Sequence, residues 1–581
     1  MKQFLLTTVL ILTGTAAWSQ TITAVRDAAA GTNNIAQGGF FTIYGSNICD
    51  ATLQTGSIPY PTTLGSGGTK VTFTPAAGGT GTTAFIYSTF VGGFGCQVSG
   101  VLPSTATAGS NNVTVTYNGK TSPAFAATVV QRNFEMFTFN SSVTGRAIVQ
   151  NFISQSELDI NEFTTSGGTS PAHPGETLIA WGTGLGPITG ADNTAPGVVD
   201  LSKSVTVKVL VNGEAITPFY AGRTPSFPGE DQINFTLPND VALGCTVTLQ
   251  VQVGSQLSNA TTIAVAPAGA AACVSPVLTS TQLQKLDQGG TITVGSFIVD
   301  SLTTTVDLSA LGGATNSKVA EEGINGQFAQ YSGDTIAGAT AFFNQTGTCQ
   351  VYVRTGTTTS LIFGTPPVDL DAGAITATGP NGFNKPLTEV TDATKGTLYG
   401  YSYSNVVLPA GVTLPFPIPG FSNTATISAG TYQLSGAGGK DVGKFTASVT
   451  LGPPLTLTTT IPDPISRSAD FPVAWTGGNT NDIVSIVGFS GVQSGGTTAS
   501  PIFTTGEFIC TTTAGAGKFT VPASVLSQMP VTPTDTTGTG GFAVLDSTQP
   551  SNFTAPLTAG GNTDFAVMLG ETGSLTTTHY K

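Results

Sequence analysis

The sequence has almost none of the side chains on which many catalytic and metal centres depend. It contains 2 histidines, and they are His173, in the turn-like PAHPGE, and His579 near the end of the chain. Metal sites built from several imidazoles are therefore excluded, and a Ser-His-Asp triad would have to use one of these two residues. No Gly-x-Ser-x-Gly nucleophile elbow is present. We interpret His173 as a solvated loop residue and assign no catalytic, cofactor-binding or metal-ligating residue.

Positive charge is also scarce. The chain has 19 Lys and Arg against 32 Asp and Glu, which gives a formal net charge of −13. Recognition of nucleic acid requires clustered Lys and Arg to neutralise phosphates. We therefore expect neither a nucleic-acid partner nor an anionic membrane surface as a partner.

Long hydrophobic runs are missing after the N-terminus. Residues 1–19 have one Lys, a short apolar run and then small residues, with Ala17 and Ser19 at the positions that precede a signal-peptidase cut. This pattern predicts a secretory signal peptide cleaved near Ser19. No later stretch approaches the ~18 apolar residues of a membrane span, so a secreted or cell-surface protein is expected.

Six cysteines are an even number for a chain predicted to enter an oxidising compartment, so disulfides are expected. The first two lie in one predicted domain, and the next two begin and follow neighbouring predicted strands of a hairpin. The remaining two pair by elimination and would join the third and fourth predicted domains. The expected pairs are Cys49 with Cys96, Cys245 with Cys273, and Cys349 with Cys510.

What is abundant is glycine, threonine and alternation of apolar with polar residues. Val205–Val211 alternates and ends in Asn212-Gly213, the pair that a type I′ hairpin turn selects. Similar strands recur along the chain, whereas helical periodicity is nearly absent; residues 154–163 and 522–529 are predicted to form a helical turn or two each. The pattern predicts an all-β protein of tandem immunoglobulin-like β-sandwich domains, four in number.

Three blocks repeat in the same order at nearly the same offset along the chain. FFTIYGSNI (40–48) matches TLIAWGTGL (177–185), CQVSGVLP matches DQINFTLP, and VTYNGKTSPA matches VQVGSQLSNA. The N-terminal part of the chain, up to position 272, is therefore predicted to be two copies of one sandwich, and the Pro- and Thr-rich stretch 452–464 a linker. The predicted domains are 20–131, 132–272, 273–455 and 456–581.

The segments HPGETLIAWGTGLGP, YAGRTPSFPGEDQINFTLP and QVGSQLSNATTIAVAP carry a resemblance. They resemble a domain of secreted bacterial proteins that is most abundant in acidobacteria and similar to IPT/TIG immunoglobulin-like modules. The resemblance covers residues 22–268 and is weaker in the first copy, where Cys96 stands in place of Asp231. It implies an immunoglobulin-like fold and an extracellular setting, and it supplies no catalytic residues.

Residues 436–445, GAGGKDVGKF, come within one residue of a nucleotide-binding P-loop. Phe445 occupies the position of the Mg²⁺-binding Ser or Thr, and strand-like sequence lies on both sides. The glycine-rich GTGLGP at 182–187 likewise lacks a following helix. We interpret both stretches as turns and expect no nucleotide and no cofactor.

Carboxylates are the remaining candidates for chemistry, because a glycosidase needs only two. The tightest groups are Glu321-Glu322, Glu230-Asp231 and Asp369-x-Asp371. The last could help to bind Ca²⁺ through oxygen ligands, although it lacks EF-hand spacing, and a solvated turn is the alternative.

Trp181 and Trp475 end alternating strands, so a core position is favoured for both; the alternative is stacking on sugar rings. The sequence as a whole favours an exported non-enzymatic protein that binds a glycan or protein ligand at the cell surface or in the matrix. The alternative is a secreted carbohydrate-active enzyme with a carboxylate pair in residues 274–581.

Overall fold

The computed structural model describes residues 20–581 except 94, 142–143, 307, 310–312, 315–316, 338–345, 357–366, 392–397, 413–418, 498–499 and 533–537. The predicted signal peptide lies outside the described residues. Strands make up 52% of the chain and helices 4%, so the protein is all-β and built of several sandwiches, as predicted.

The first sandwich spans residues 21–130. One sheet has the strand order β1-β3-β8-β7-β4, the other has β2-β11-β9-β5-β6 with β10 paired to β9, and one hydrophobic core lies between them. The strands are β1 (Thr21–Asp27), β2 (Asn34–Ala36), β3 (Phe40–Ser46), β4 (Gln54–Thr55), β5 (Lys70–Pro75), β6 (Thr82–Thr83), β7 (Phe85–Gly92), β8 (Gly95–Val101), β9 (Gly109–Tyr117), β10 (Lys120–Thr121) and β11 (Phe125–Val130).

The second sandwich spans residues 135–265. Its sheets have the orders β16-β15-β14-β17-β22-β21-β18, with β12 on β17, and β13-β25-β23-β19-β20, with β24 on β23. The strands are β12 (Glu135–Met136), β13 (Gly145–Arg146), β14 (Val149–Ser154), β15 (Glu157–Asn161), β16 (Thr169–Ser170), β17 (Thr177–Thr183), β18 (Val199–Asp200), β19 (Val207–Val211), β20 (Glu214–Ile216), β21 (Tyr220–Arg223), β22 (Asp231–Thr236), β23 (Gly244–Val253), β24 (Gln256–Leu257) and β25 (Thr261–Val265).

The two sandwiches share one topology. The order β14-β17-β22-β21-β18 corresponds strand by strand to β1-β3-β8-β7-β4, and β13-β25-β23-β19-β20 to β2-β11-β9-β5-β6. The register corresponds as well, since Cys96 lies opposite Gly45 and Asp231 opposite Gly182. The alignment of the repeated blocks thus has a structural counterpart, down to the position where Cys96 replaces Asp231.

The rest of the chain is built on one sheet of twelve strands with the order β28-β40-β39-β42-β44-β26-β27-β33-β32, with three short strands beside it. The elements are α1 (Ser280–Asp287), β26 (Ile292–Val306), β27 (Ser317–Tyr331), β28 (Thr348–Gly356), β29 (Val368–Asp369), β30 (Ile375–Thr378), β31 (Asn384–Pro386), β32 (Thr388–Thr391), β33 (Leu398–Val407), β34 (Phe421–Ser422), β35 (Gly430–Gly436), β36 (Phe445–Leu451), β37 (Thr456–Leu457), β38 (Phe471–Thr476), β39 (Ile483–Thr497), β40 (Ser500–Thr513), β41 (Lys518–Val521), α2 (Ala523–Leu526), β42 (Gly538–Ser547), β43 (Ser551–Asn552) and β44 (Phe565–Thr577).

Two smaller sheets pack side by side against this large sheet. The sheet β31-β30-β35-β36 encloses a core that includes Phe297, Phe328 and Phe445, and the sheet β37-β38-β41 encloses a second core around Trp475 and Phe508. The last strand, β44, lies between β42 and β26 and runs parallel to β26. The boundary predicted at 455/456 therefore separates the two small sheets, while the strands on both of its sides share the large one.

One of the two helical expectations is wrong, and one helix was missed. The predicted helical turn at 154–163 is wrong, because this segment forms the β14–β15 hairpin, in which Phe152 and Leu158 are paired. The helix α1 was not predicted, although Thr279 and Gln282 form a capping box at its start. The turn expected at 522–529 is present as α2.

Three disulfides join Cys49 to Cys96, Cys245 to Cys273 and Cys349 to Cys510, with Cα–Cα distances of 5.6, 5.1 and 3.9 Å. The third is a cross-strand bond, since its cysteines lie opposite each other on β28 and β40. In the described chain, no helix is long and apolar enough to cross a membrane.

Candidate ligand-binding surface

The P-loop-like segment is a hairpin connection, as interpreted. Gly436 at the end of β35 lies opposite Phe445 at the start of β36, and the loop between them bonds back to the chain through Gly443 N and Pro556 O at 2.7 Å. No helix follows Lys444, so no helix N-terminus is present to bind a phosphate.

The carboxylate groups singled out in the sequence are dispersed. Glu322 is buried and accepts hydrogen bonds from Asn405 Nδ2 at 2.9 Å and Thr426 N at 2.8 Å. These hydrogen bonds give Glu322 a structural role. Asp371 accepts a hydrogen bond from Gly373 N at 2.7 Å within its own turn. Among the described residues, no group of three or more His, Cys, Asp and Glu is arranged to hold a metal ion.

Asp231 is explained by a buried ion pair. Arg223 Nη1 contacts the Asp231 carboxylate, and the other guanidinium nitrogen, Nη2, donates to the main-chain oxygens of Gly38 and Gly186 at 2.8 Å. Both side chains are essentially inaccessible to solvent. Because Gly38 belongs to the first sandwich, this pair fixes the junction between the two sandwiches.

The two tryptophans have different positions. Trp475 is 3% exposed in a core and donates to Ala514 O at 3.0 Å, which confirms the prediction for this residue. Trp181 is only partly buried, and its strand neighbours Leu178 and Ala180 supply the core instead. The prediction of a core position for Trp181 is therefore wrong: the ring lies on the outer face of the sheet.

An aromatic strip runs across the outer faces of the two sandwiches. The ring centroids of Tyr60 and Tyr87 are 6.0 Å apart, those of Tyr87 and Phe40 are 5.1 Å apart, and those of Phe40 and Phe137 are 6.4 Å apart. Phe137, directly after β12, donates its main-chain N–H to Trp181 O of β17 at 3.0 Å, which places the fifth aromatic residue beside the fourth. All five are partly exposed, and the strip crosses the junction of the sandwiches.

Local structure explains why these rings face outward. Phe40 alternates with Phe41 on β3, and Phe41 is fully buried in the first core. Likewise Phe137 follows the buried Met136. Since successive side chains of a strand point to opposite faces, a core residue at one position directs its neighbour to the outside.

Amide side chains accompany the rings. Trp181 Nε1 donates to Gln150 Oε1 at 3.0 Å, which fixes the orientation of the indole ring. Gln232 lies directly opposite Trp181 on β22 and donates to Asn234 Oδ1 at 2.9 Å. The first sandwich has the same arrangement, because Tyr44 lies opposite Gln97. Each copy thus pairs an outward aromatic ring with a glutamine at the same register.

One carboxylate borders the strip. Burial, together with the adjacent Asp231 charge, raises the pKa of Glu230 to about 7. Burial also raises the pKa of Tyr60, and the nearby Tyr87 and Glu230 add to that effect. The side chain of Glu230 is therefore close to the tyrosine end of the strip and can accept or donate a hydrogen bond near neutral pH.

Apolar side chains extend the surface at its other end. Phe152, Leu158 and Ile160 are 39 to 40% exposed and lie on the same outer face as Gln150. Exposed apolar area of this kind, bordered by amides, is typical of an interaction surface.

Two cavities lie elsewhere. One of about 880 Å³ lies between the second sandwich and the large sheet and includes Asn212, Gln350 and Phe565; among the described residues that line it, the one carboxylate is Asp564. The other, of about 680 Å³, has Glu135 as the one carboxylate among its described lining residues. Glycoside hydrolysis uses two carboxylates, and the described lining of each cavity supplies one.

Comparison with known proteins adds little. No family model matches the chain, and no curated protein matches it. Among solved structures, the Bacteroides ovatus mixed-linkage glucan utilization locus SGBP-B, in complex with a mixed-linkage heptasaccharide, matches with a TM-score of 0.19 and 10% identity over 51% of this chain and 65% of that one, less than two thirds of its length.

Two further solved structures match at similar levels. Domains 4–9 of the surface layer protein SbsC match with a TM-score of 0.15 and 10% identity, over 94% of this chain and 82% of that one. A structure described as containing a xylogluco-oligosaccharide matches with a TM-score of 0.14 and 10% identity, over 86% of this chain and 97% of that one. At such TM-scores these likenesses carry no argument about function.

Proposed function

We propose that the protein is exported and binds neutral glycan chains through the aromatic strip, without chemical turnover. The observation that carries this proposal is the continuous line of five partly exposed rings, Tyr60, Tyr87, Phe40, Phe137 and Trp181, flanked by amides. Three disulfides support an oxidising compartment.

The chemistry of the surface favours a sugar. A pyranose ring has a flat face of C–H groups that packs on an aromatic face, and its hydroxyl groups exchange hydrogen bonds with amides. Tyrosine and tryptophan provide large contact area at low conformational cost, and the amides of Gln150, Gln232 and Asn234 provide both donors and acceptors. A strip on an open sheet face, rather than a closed pocket, suits a long chain better than a small molecule.

Charge favours a neutral ligand. The protein has a net charge of −13, and the carboxyl group of Glu230 lies near the tyrosine end of the strip. A polyanionic polysaccharide would be repelled, because like charges in contact are unfavourable.

The test is affinity gel electrophoresis of the mature chain through gels that contain neutral polysaccharides, beside a reducing-sugar assay. We expect retardation by at least one neutral glycan, with a dissociation constant raised about tenfold or more in Trp181→Ala and in Tyr87→Ala. The matched control is Phe421→Ala, which removes an aromatic ring that is 42% exposed on the distant β34.

Retardation that is equal in wild type and both strip variants would place the glycan elsewhere and refute the proposal. Release of reducing ends by the wild-type protein would support the alternative of a carbohydrate-active enzyme.

A further inference from the structure

Two buried carboxylates meet beside a glycine-rich loop in the C-terminal half. Asp482 ends the loop GGNTND (477–482) between β38 and β39, and Asp546 lies near the end of β42. Val484, two residues after Asp482, is the register partner of Asp546, so both side chains face the same side of the sheet. They are 6% and 5% exposed.

These carboxylates lack a compensating charge. None of the ion pairs found among the described residues includes either of them. Two adjacent buried carboxylates without a cation are costly, because each charge loses its hydration and repels the other.

One oxygen of the pair has no hydrogen-bond partner. Asp546 Oδ1 is buried and unsatisfied, whereas Asp482 Oδ2 accepts from Asn479 Nδ2 at 2.8 Å. A buried acceptor without a donor costs free energy unless something occupies the space before it. This oxygen belongs to a side chain that is 5% exposed, and a cation placed before it would satisfy it.

Two glycines pack closely around the pair, where a side chain would collide with it. A Cβ atom on Gly478 would lie 2.9 Å from Asp546 Oδ2, and Gly478 has a φ of +72°. A Cβ on Gly452 would lie 3.3 Å from Asn479 Nδ2 and 4.0 Å from Asp482 Oδ2. The carboxylates, the amide and the two glycines therefore surround one small region.

We propose that Asp482 and Asp546 form a Ca²⁺ site. Ca²⁺ takes six to eight oxygen ligands from carboxylates, amides, main-chain carbonyls and water, and it tolerates irregular geometry. Asn479 Nδ2 holds the Asp482 carboxylate by its hydrogen bond to Oδ2 and is not itself a ligand. The ion neutralises the pair and ties the 477–482 loop to β42.

The protein supplies its own spectroscopic reporter for this site. Trp475 Nε1 donates to Ala514 O at 3.0 Å, and a Cβ on Gly478 would lie 3.0 Å from Ala514 Cβ. An indole this close to the bound ion transfers excitation to Tb³⁺, which replaces Ca²⁺ at oxygen sites. Excitation of the metal-free mature chain in the presence of Tb³⁺ is therefore expected to give terbium emission that excess Ca²⁺ removes.

Single substitutions test whether the metal ion binds at this site or responds only to the negative charge of the whole protein. Asp546→Asn and Asp482→Asn are each expected to weaken Tb³⁺ and Ca²⁺ binding at least tenfold, from a dissociation constant of about 10⁻⁴–10⁻³ M, the range of extracellular Ca²⁺ modules. The matched control is Asp192→Asn, which changes a buried carboxylate whose two oxygens already accept hydrogen bonds from Ser104 N and Ser104 Oγ, each at 2.7 Å.

Melting curves show whether each variant is folded. With chelator present, Asp546→Asn is expected to melt at or above the wild-type temperature, because the substitution removes charge repulsion. With millimolar Ca²⁺ the wild-type melting temperature rises and that of the variant does not. Emission that is unchanged in both Asp variants, or a wild-type melting temperature that Ca²⁺ leaves constant, overturns the proposal.

Discussion

At the scale of the residue, one position is stabilised differently in the two copies of the sandwich. Cys96 and Asp231 occupy the same place opposite a glycine of the neighbouring strand. In the first copy this place forms a disulfide to Cys49, and in the second it pairs with Arg223 and accepts from Leu185 N at 2.7 Å. In the first copy a covalent bond fixes the segment that follows β3. In the second copy a charged contact fixes the segment that follows β17.

Removal of Arg223 is predicted to be severe. Arg223→Ala leaves the Asp231 carboxylate buried and unpaired, so the free energy of unfolding of the N-terminal half is expected to fall by about 3–5 kcal/mol. Urea denaturation checks this value. Lys120→Ala, an exposed change in the first sandwich, is expected to stay within about 0.5 kcal/mol, and an equally small effect of Arg223→Ala would contradict the assigned role.

The two tryptophans show that the burial of a residue cannot be predicted from its place in an alternating strand alone. Both end alternating strands, and alternation does not say which of the two faces is covered. Trp475 is buried because it lies on the face of β38 that packs against β39, β40 and β42 of the large sheet. Trp181 stays partly exposed because the alternate residues of β17, Leu178 and Ala180, face the core. Which face meets a second sheet is a property of the assembled sandwich.

At the scale of the element, hairpin turns were the most predictable feature. Asn118-Gly119 and Asn212-Gly213 both have positive φ at both residues, with values of 50° and 69° and of 48° and 81°. They join β9 to β10 and β19 to β20. Local backbone sterics set this choice, so the sequence alone is sufficient to predict it.

A glycine substitution in one of these turns measures the free-energy cost of positive φ without a steric clash. Gly119 has open space around its Cβ position, so Gly119→Ala brings no clash and only the cost of positive φ, about 1–2 kcal/mol. Gly93 has equally open space and no positive φ, so Gly93→Ala is the matched control. Equal urea midpoints for the two variants would contradict the turn assignment.

At the edge of the large sheet, a cross-strand disulfide stabilises the pairing of two strands. β28 contacts the sheet through β40, and Cys349–Cys510 fixes that pairing within a core. The double variant Cys349→Ser/Cys510→Ser is expected to lose about 2–5 kcal/mol of stability. Hydrogen exchange should show the loss concentrated in β28, whereas uniform loss over both N-terminal sandwiches would argue against a local role.

At the scale of the whole molecule, the connection that sequence did not reveal is the large sheet. β44, the last strand of the chain, pairs with β26, the first strand of this sheet in chain order, and β42 lies on its other side. Strand partners so distant in sequence leave no periodic signal, whereas the repeat in the N-terminal half did. The class of fold and the internal repeat were therefore accessible from sequence, and the sharing of one sheet by the two C-terminal units was not.

The candidate surface was inaccessible for the same reason. Tyr60, Tyr87, Phe40, Phe137 and Trp181 come from five separate segments, and only assembly of the two sandwiches aligns them. The available signal was the repeated pairing of an aromatic residue with a glutamine, Tyr44 with Gln97 and Trp181 with Gln232, which the block alignment contains without indicating the outward direction.

Buried carboxylates make the stability of the molecule depend on pH in an unusual direction. Burial raises the pKa of Glu507 and of Glu571 to about 7. A carboxyl group with a raised folded-state pKa favours folding below its unfolded value near 4.5, and this contribution is lost as pH rises through the folded value. The free energy of unfolding is thus expected to decrease between about pH 5 and pH 8.

Urea denaturation in chelator at pH 5, 6.5 and 8 and constant ionic strength measures this dependence. Glu571→Gln, which retains a hydrogen-bonding group for Ser547 Oγ at 2.8 Å, should reduce the slope. Stability that increases with pH over the whole interval would show that these groups are ionised in the folded protein.

The most direct test of the central claim, that the aromatic strip is the glycan-binding surface, uses Trp181 itself. After cleavage near Ser19, the mature chain would contain Trp181 and the buried Trp475 as its two tryptophans. Acrylamide quenching of tryptophan fluorescence, with and without the neutral glycan that retards the protein most, reports on Trp181 because Trp475 is shielded in both states. The account predicts a clear decrease in quenching when the glycan is bound, and unchanged quenching at saturating glycan would contradict it.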